Sequence, residues 1–70
     1  MNGGDNMVQF KTKADLGNAV RKARNEKGMS QSAVSAAIGV SLVAYQRYEN
    51  GTSMPKPENL NKLIRVLGIE

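Results

Sequence analysis

Two short helical patterns follow each other with only Gly39-Val40-Ser41 between them, and this spacing constrains the fold more than any other feature. The first pattern ends at Gly39, and the second begins after Ser41. A connection of this length cannot reverse the chain, so the two helices have to cross at a steep angle. The spacing therefore predicts a helix-turn-helix, in which the second helix stands out from the domain where a partner can reach it.

Residues that start and end helices divide the rest of the chain into four predicted helices. Hydroxyl side chains that can cap a helix N-terminus occur at Thr12, Ser30 and Ser41, and Pro57 suits the first turn of a fourth helix. The glycines that can end these helices are Gly28, Gly39, Gly51 and Gly68. No useful length of strand-like alternation is present. We therefore expect an all-α fold, a compact four-helix domain with room for a short extra turn at its C-terminal end.

Apolar residues recur at helical spacing within each of these segments and predict the core. The predicted inward residues are Leu16, Ala19, Val20 and Ala23 in the first helix, Val34, Ala37 and Ile38 in the second, Tyr45 and Tyr48 in the third, and Leu60, Leu63, Ile64 and Leu67 in the fourth. Residues 1–11 are small, polar and without periodicity, so we expect a flexible N-terminal tail followed by one domain over residues 12–70.

Composition narrows the class of function. The chain has no cysteine and no histidine, which removes thiolate metal sites and the commonest general base. We therefore expect no catalytic site, no metal, no cofactor and no enzymatic activity. Lys and Arg outnumber Asp and Glu by 10 to 6, and the net charge of +4 suits a polyanion such as nucleic acid, although it also suits simple solubility. Without a membrane-spanning run or a secretory signal, we expect a cytoplasmic protein.

The run from Gln31 to Gly51 resembles the Cro/C1-type (Xre) family of helix-turn-helix DNA-binding domains. The matching features are Gln31 at the start of the second helix, small Ser35, Gly39 in the turn, and Glu49-Asn50-Gly51 at the end of the third helix. The match extends over roughly residues 12–69. It implies a fold like that of the lambda repressor and a sequence-specific regulator of transcription, repressor-like, that places residues 41–50 in the major groove of double-stranded DNA.

The resemblance also implies which side chains contact the bases. They are Ser41, Leu42, Val43, Gln46 and Arg47. Gln46 suits adenine and Arg47 suits guanine, each through two hydrogen bonds. Leu42 and Val43 could meet thymine methyl groups, or one of them could pack against the first helix or a partner protein.

Further residues receive roles at the DNA backbone or in the scaffold. Gln31 lies at a helix N-terminus, where free N–H groups attract a phosphate, and the resemblance makes it a phosphate ligand. Asn50 and Lys56 flank the loop before the fourth helix and are further phosphate candidates. In the family, the positions of Arg24 and Glu49 form a partly buried ion pair that joins the first helix to the end of the third. We expect a structural role for this pair and no contact with DNA.

Partners beyond DNA are predicted less specifically. We expect a weak homodimer on a palindromic operator, assembled through Met54, Leu67 and Ile69. The alternative function is an antitoxin of the HipB type, which binds a toxin protein as well as its own operator. The sequence determines neither the operator nor the sign of regulation.

Overall fold

The computed structural model of the protein describes residues 10–69, which form four α-helices. Their bounds are α1 Lys13–Glu26, α2 Gln31–Ile38, α3 Leu42–Asn50 and α4 Pro57–Leu67. Within residues 10–69 there is no strand, and the predicted all-α fold of four helices is confirmed. The first nine residues of the predicted tail lie outside the described part of the chain.

Side-chain hydrogen bonds and one proline fix where the helices begin. The hydroxyl oxygens of Thr12, Ser30 and Ser41 each accept the backbone N–H three residues further on, at 3.0, 3.0 and 3.1 Å. Each bond satisfies a donor that the helix leaves unpaired. Pro57 occupies the first turn of α4, where its missing N–H costs nothing. The predicted helix starts therefore agree with the structure.

The turn between α2 and α3 depends on a backbone conformation that glycine adopts without strain. Gly39 has φ 75°, in the left-handed region. This conformation lets the N–H of Val40 donate to the carbonyl oxygen of Ser35 at 3.0 Å, which closes the end of α2. The chain then enters α3 at once, so α2 and α3 cross and pack against each other as a helix-turn-helix.

The core takes apolar side chains from all four helices. The buried hydrophobic residues are Leu16, Val20, Val34, Ile38, Tyr45, Tyr48, Leu63 and Leu67. One predicted inward residue is misplaced, because Ala37 is exposed while its neighbour Ile38 is buried. The stripe on α2 is therefore narrower than the apolar pattern indicated. Only Val34 and Ile38, which lie one helical turn apart, carry it.

Two residues at the ends of the domain correct earlier expectations. Phe10, which the sequence places in the tail, is half-buried and packs against the core. Leu67 is buried, with 3% of its surface exposed, which confirms its predicted place in the core and rules out the dimer contact suggested for it. Met54, from the same suggested contact, is exposed.

Helix α1 lies unusually close to the end of α3, at a position where only glycine fits. A Cβ atom built on Gly17 would lie 2.5 Å from the carbonyl oxygen of Glu49 and 2.8 Å from that of Tyr48. Both distances are far below van der Waals contact, and both neighbours are backbone atoms. A glycine within a helix is otherwise unfavourable. Gly17 is therefore a packing residue, which allows the two helix backbones to meet.

We expect Gly17→Ala to lower the free energy of unfolding by about 1–3 kcal/mol, because the added methyl group has to displace the backbone of α3. Helix propensity alone predicts instead that the substitution raises the free energy of unfolding by about 1 kcal/mol. Urea denaturation decides between them. The control is Asn18→Ala at the adjacent exposed position, which should change stability by less than about 0.5 kcal/mol. A Gly17→Ala domain as stable as the wild type would contradict the close approach.

Candidate nucleic-acid interface

Helix α3 has one face in the core and one face open to solvent. Its buried residues are Tyr45, Tyr48 and Glu49. The rings of the two tyrosines meet edge to face, with centroids 6.5 Å apart. The prediction that both tyrosines belong to the core is confirmed. The opposite face carries the exposed residues Leu42, Val43, Arg47 and Asn50, which are four of the eight predicted DNA-contacting residues.

The apolar side chains at the start of α3 are accessible. Leu42 exposes 40% of its surface and Val43 exposes 57%. Neither is packed into the domain, which disfavours the alternative that one of them packs on α1. Ser41 precedes them and is exposed as well, but its hydroxyl oxygen already accepts the N–H of Ala44. Its hydroxyl proton remains free to donate to a ligand.

Basic side chains lie beside this apolar pair. Arg47 and Lys56 are exposed and line one groove between α3 and the start of α4, together with Ser53 and Met54. Asn50 is exposed at the end of α3. The structure therefore places both cations of this predicted set near the C-terminal half of α3, where they can reach a polyanion that lies along that helix.

Beneath the exposed face lies an ion pair between Arg24 and Glu49. The Nε atom of Arg24 donates to Oε2 of Glu49 at 2.5 Å, and a terminal nitrogen of the same guanidinium donates to Oε1 at 3.3 Å. Its other terminal nitrogen donates to the carbonyl oxygen of Met29 at 3.0 Å. The side chains expose 14% and 2% of their surfaces. The structure thus brings together the two residues that the family resemblance pairs, and little solvent reaches them.

The carboxylate of Glu49 accepts two more hydrogen bonds. The hydroxyl of Tyr45 donates to Oε2 at 2.5 Å, and Nε2 of Gln31 donates to Oε1 at 3.0 Å. Burial by itself would raise the pKa of the Glu49 carboxyl. The bonds from Arg24, Tyr45 and Gln31 outweigh it and hold that pKa below its ordinary value. Burial, followed by the bond to Glu49, raises the pKa of Tyr45, which stays a neutral donor.

Gln31 and Gln46 are less free than the sequence suggested. Gln31, predicted as a phosphate ligand, is half-buried and already donates to Glu49. Gln46, predicted as a base contact, is also half-buried, and its Nε2 atom donates to Oε1 of Gln31 at 3.2 Å. The sequence analysis predicted neither the hydrogen bond between Gln46 and Gln31 nor the one between Tyr45 and Glu49. The sequence signal for the second bond is the spacing, since Tyr45 lies four residues before Glu49, about one helical turn.

Comparison with known proteins agrees with this geometry. The helix-turn-helix family model matches residues 20–70, which include the end of α1 and all of α2, α3 and α4. The chain belongs to the Cro/C1-type helix-turn-helix family. Membership in this helix-turn-helix family supports binding to DNA.

Relatives of this helix-turn-helix domain come from phages and from eukaryotes. The chain is 41% identical over 60 residues, 86% of its length, to the cryptic phage CTXphi transcriptional repressor RstR of Vibrio cholerae. It is 34% identical over 54 residues, 77% of its length, to the SPbeta prophage-derived uncharacterized HTH-type transcriptional regulator YonR of Bacillus subtilis. It is 37% identical over 60 residues to the putative multi-protein-binding factor 1 of Yarrowia lipolytica. The chain spans 50%, 50% and 40% of these relatives.

The described residues, 10–69, also bear on metal binding and on membrane insertion. No group of three or more Asp, Glu, His or Cys side chains in this range is arranged to hold a metal ion. None of the four described helices has the length and apolar character needed to cross a membrane.

Removing Arg24 should leave the buried carboxylate of Glu49 without its counter-ion. We therefore expect Arg24→Ala to lower the free energy of unfolding by about 3 kcal/mol. Glu49→Gln should cost less, since the amide keeps an acceptor. The double variant should cost less than the sum, which a double-mutant cycle reports as coupling. The coupling should persist at neutral pH and vanish as the pH falls through the lowered pKa of Glu49, because the protonated carboxyl loses its charge.

The matched control is Arg21→Ala, which removes an exposed arginine from the same helix and should change stability by less than about 0.5 kcal/mol. Chemical denaturation of each variant gives the free energies. If Arg24→Ala and Arg21→Ala unfold alike, the ion pair does not stabilise the domain.

Proposed function

We propose that this domain binds double-stranded DNA sequence-specifically and acts as a repressor of transcription, with α3 in the major groove. The observation that carries the proposal is the division of α3 into a face fixed in the core by Tyr45 and Glu49 and a face left open. A major groove about 12 Å wide admits an α-helix. A reading helix also has to be held rigidly, and the buried face meets that need.

The open face offers groups that complement base edges. Arg47 can donate two hydrogen bonds to guanine, and Gln46 suits adenine. The exposed methyl groups of Leu42 and Val43 match the methyl group of thymine, and the free proton of Ser41 can reach a base or phosphate oxygen. The proposed reading face is therefore the set Ser41, Leu42, Val43, Gln46 and Arg47.

Contacts with the DNA backbone would come from the edges of this face. Gln31 begins α2, and its Nε2 atom has a second N–H that can donate to a phosphate while the first is held by Glu49. Asn50 is exposed at the end of α3, and Lys56 is exposed directly before α4. Such contacts position the protein and carry no sequence information by themselves. Together with the net charge of +4, they supply non-specific affinity.

A dimer on a palindromic operator remains part of the proposal. Two copies would place two α3 helices in successive turns of the groove. Leu67 is excluded from the contact because it lies in the core, whereas Met54 exposes 42% of its surface beside α3. Ile69 is half-buried against the core, so Met54 is the apolar residue of that suggested set that is best placed for a second copy.

A protein partner is the second candidate function. The relative from Yarrowia lipolytica is, by its name, a protein-binding factor, and Leu42, Val43 and Met54 give this domain exposed apolar surface. An antitoxin that binds a toxin belongs to this class. A toxin gene directly downstream of the coding sequence would favour the antitoxin, whereas a divergent promoter beside it would favour the repressor.

We expect binding to duplex DNA to weaken steeply with salt, because each neutralised phosphate releases condensed counterions. For a dimer with about six to ten phosphate contacts, the slope of log K against log salt should be about −5 to −9. Sequences selected from a randomised duplex give the cognate site. Arg47→Ala and Gln46→Ala should then lose preference for this site over random DNA while keeping most non-specific affinity.

The matched control for charge is Arg65→Ala, which removes an exposed arginine from the last turn of α4. It should preserve the preference for the cognate site. Two results would contradict the proposal: no DNA binding at any salt concentration, or equal discrimination by wild type and both α3 variants.

A further inference from the structure

Val43 is the most exposed large hydrophobic side chain within residues 10–69, with 57% of its surface open to solvent. Arg47 follows one helical turn later and is exposed as well, so the two side chains lie on the same face of α3. This face is opposite the two buried tyrosines of the helix. Val43 therefore lies in the middle of the proposed reading face and not at its edge.

A valine at this place limits what the reading face can recognise. Its side chain has no hydrogen-bond donor or acceptor, and its branched Cβ atom holds the two methyl groups in few orientations. It therefore cannot distinguish, by a hydrogen bond, the carbonyl oxygen O4 of thymine from the amino group N4 of cytosine. In the major groove, the C5-methyl group of thymine is the feature that favours an apolar partner. Val43 is thus suited to recognise a methyl group rather than a particular base.

Thymine shares this methyl group with a second pyrimidine, 5-methylcytosine. In both bases the methyl group is attached to C5 and projects into the major groove. Methylation leaves the pairing of cytosine with guanine unchanged, and it replaces a hydrogen atom by a group that an apolar side chain can cover. A valine that packs on the methyl group gains the same contact from either base, and it gains no such contact from unmethylated cytosine.

We propose that Val43 recognises the C5-methyl group of a pyrimidine, so that the domain binds more tightly when a cytosine at that position of its site is methylated. The inference rests on the proposed function and deepens it, since it requires α3 in the major groove. The neighbouring contact of Arg47 is independent of this methyl group, because Arg47 donates to N7 and O6 of a guanine, which methylation of a pyrimidine does not alter.

A change in the shape of the DNA is the competing explanation for any effect of methylation. Proteins also respond to the stiffness and groove width of base pairs that they do not touch. An effect of this kind comes from the DNA, so it is the same for the wild type and for Val43→Ala. A direct contact disappears with the side chain. Changing the methyl group and the side chain, separately and together, therefore distinguishes the two explanations.

The test first identifies the base pair at which Val43→Ala changes the sequences selected from a randomised duplex. Binding of the wild type is then measured on four duplexes that carry thymine, uracil, 5-methylcytosine or cytosine at this position. Thymine and uracil both pair with adenine, and the two cytosines both pair with guanine, so each comparison changes one methyl group alone. We expect each methyl group to strengthen binding by the wild type about fourfold, the value for one buried methyl group.

Val43→Ala should bring both ratios to within about twofold of one, and it should fold, because Val43 is exposed and alanine favours a helix. The matched control is Leu42→Ala, which removes the adjacent exposed apolar side chain and should keep both ratios at this base pair. The wild-type measurements require no variant to fold beyond the one that locates the base pair.

Several results would overturn the inference while leaving the proposed function intact. They are wild-type ratios near one, ratios that persist in Val43→Ala, ratios that disappear in Leu42→Ala instead, and a Val43→Ala domain that selects the same sequences as the wild type. Absence of any DNA binding by the wild type overturns both the inference and the proposed function.

Discussion

The carboxylate of Glu49 is the point on which three of the four helices converge. It receives hydrogen bonds from Arg24 of α1, from Gln31 of α2 and from Tyr45 of its own helix. A buried charge is costly unless its acceptor positions are filled, so this carboxylate favours the one arrangement of helices that brings these donors together. Gly17 makes the same junction possible from the other side, since it lets α1 approach the backbone of Glu49. The position of α3, and with it the exposed face, depends on this junction.

The fold could be predicted from the sequence wherever local interactions decide. Ser30, Ser41 and Gly39 act within one helical turn, so their caps and the turn are visible in the sequence itself. Ala37 could not be placed in the same way. Alanine is small and nearly neutral, and an eight-residue helix has too few turns to define its buried stripe from periodicity alone. The role of Gly17 was also hidden, because it depends on where a distant helix passes.

The candidate site also has one part that local sequence patterns predict and one part that they do not. The exposed face with Leu42, Val43 and Arg47 follows from the periodicity of α3, once the tyrosines are assigned to the core. The bonds of Gln31 to Glu49 and of Gln46 to Gln31 join residues that are 18 and 15 positions apart. Periodicity within one helix cannot show such contacts, because they arise where two helices cross. A glutamine that looks like a free reading group in the sequence is thus part of a network that begins in the core.

The central proposal is that DNA lies along the open face of α3, with contacts to the DNA backbone from Gln31, Asn50 and Lys56 at the edges of that face. Chemical shifts of backbone and side-chain amides, followed by NMR while a selected duplex is added, test it most directly. We expect the largest changes on Leu42, Val43, Gln46 and Arg47 and on the first turn of α2, with little change on the outer faces of α1 and α4. Changes concentrated on α1 or α4, with the exposed face of α3 unaffected, would contradict it.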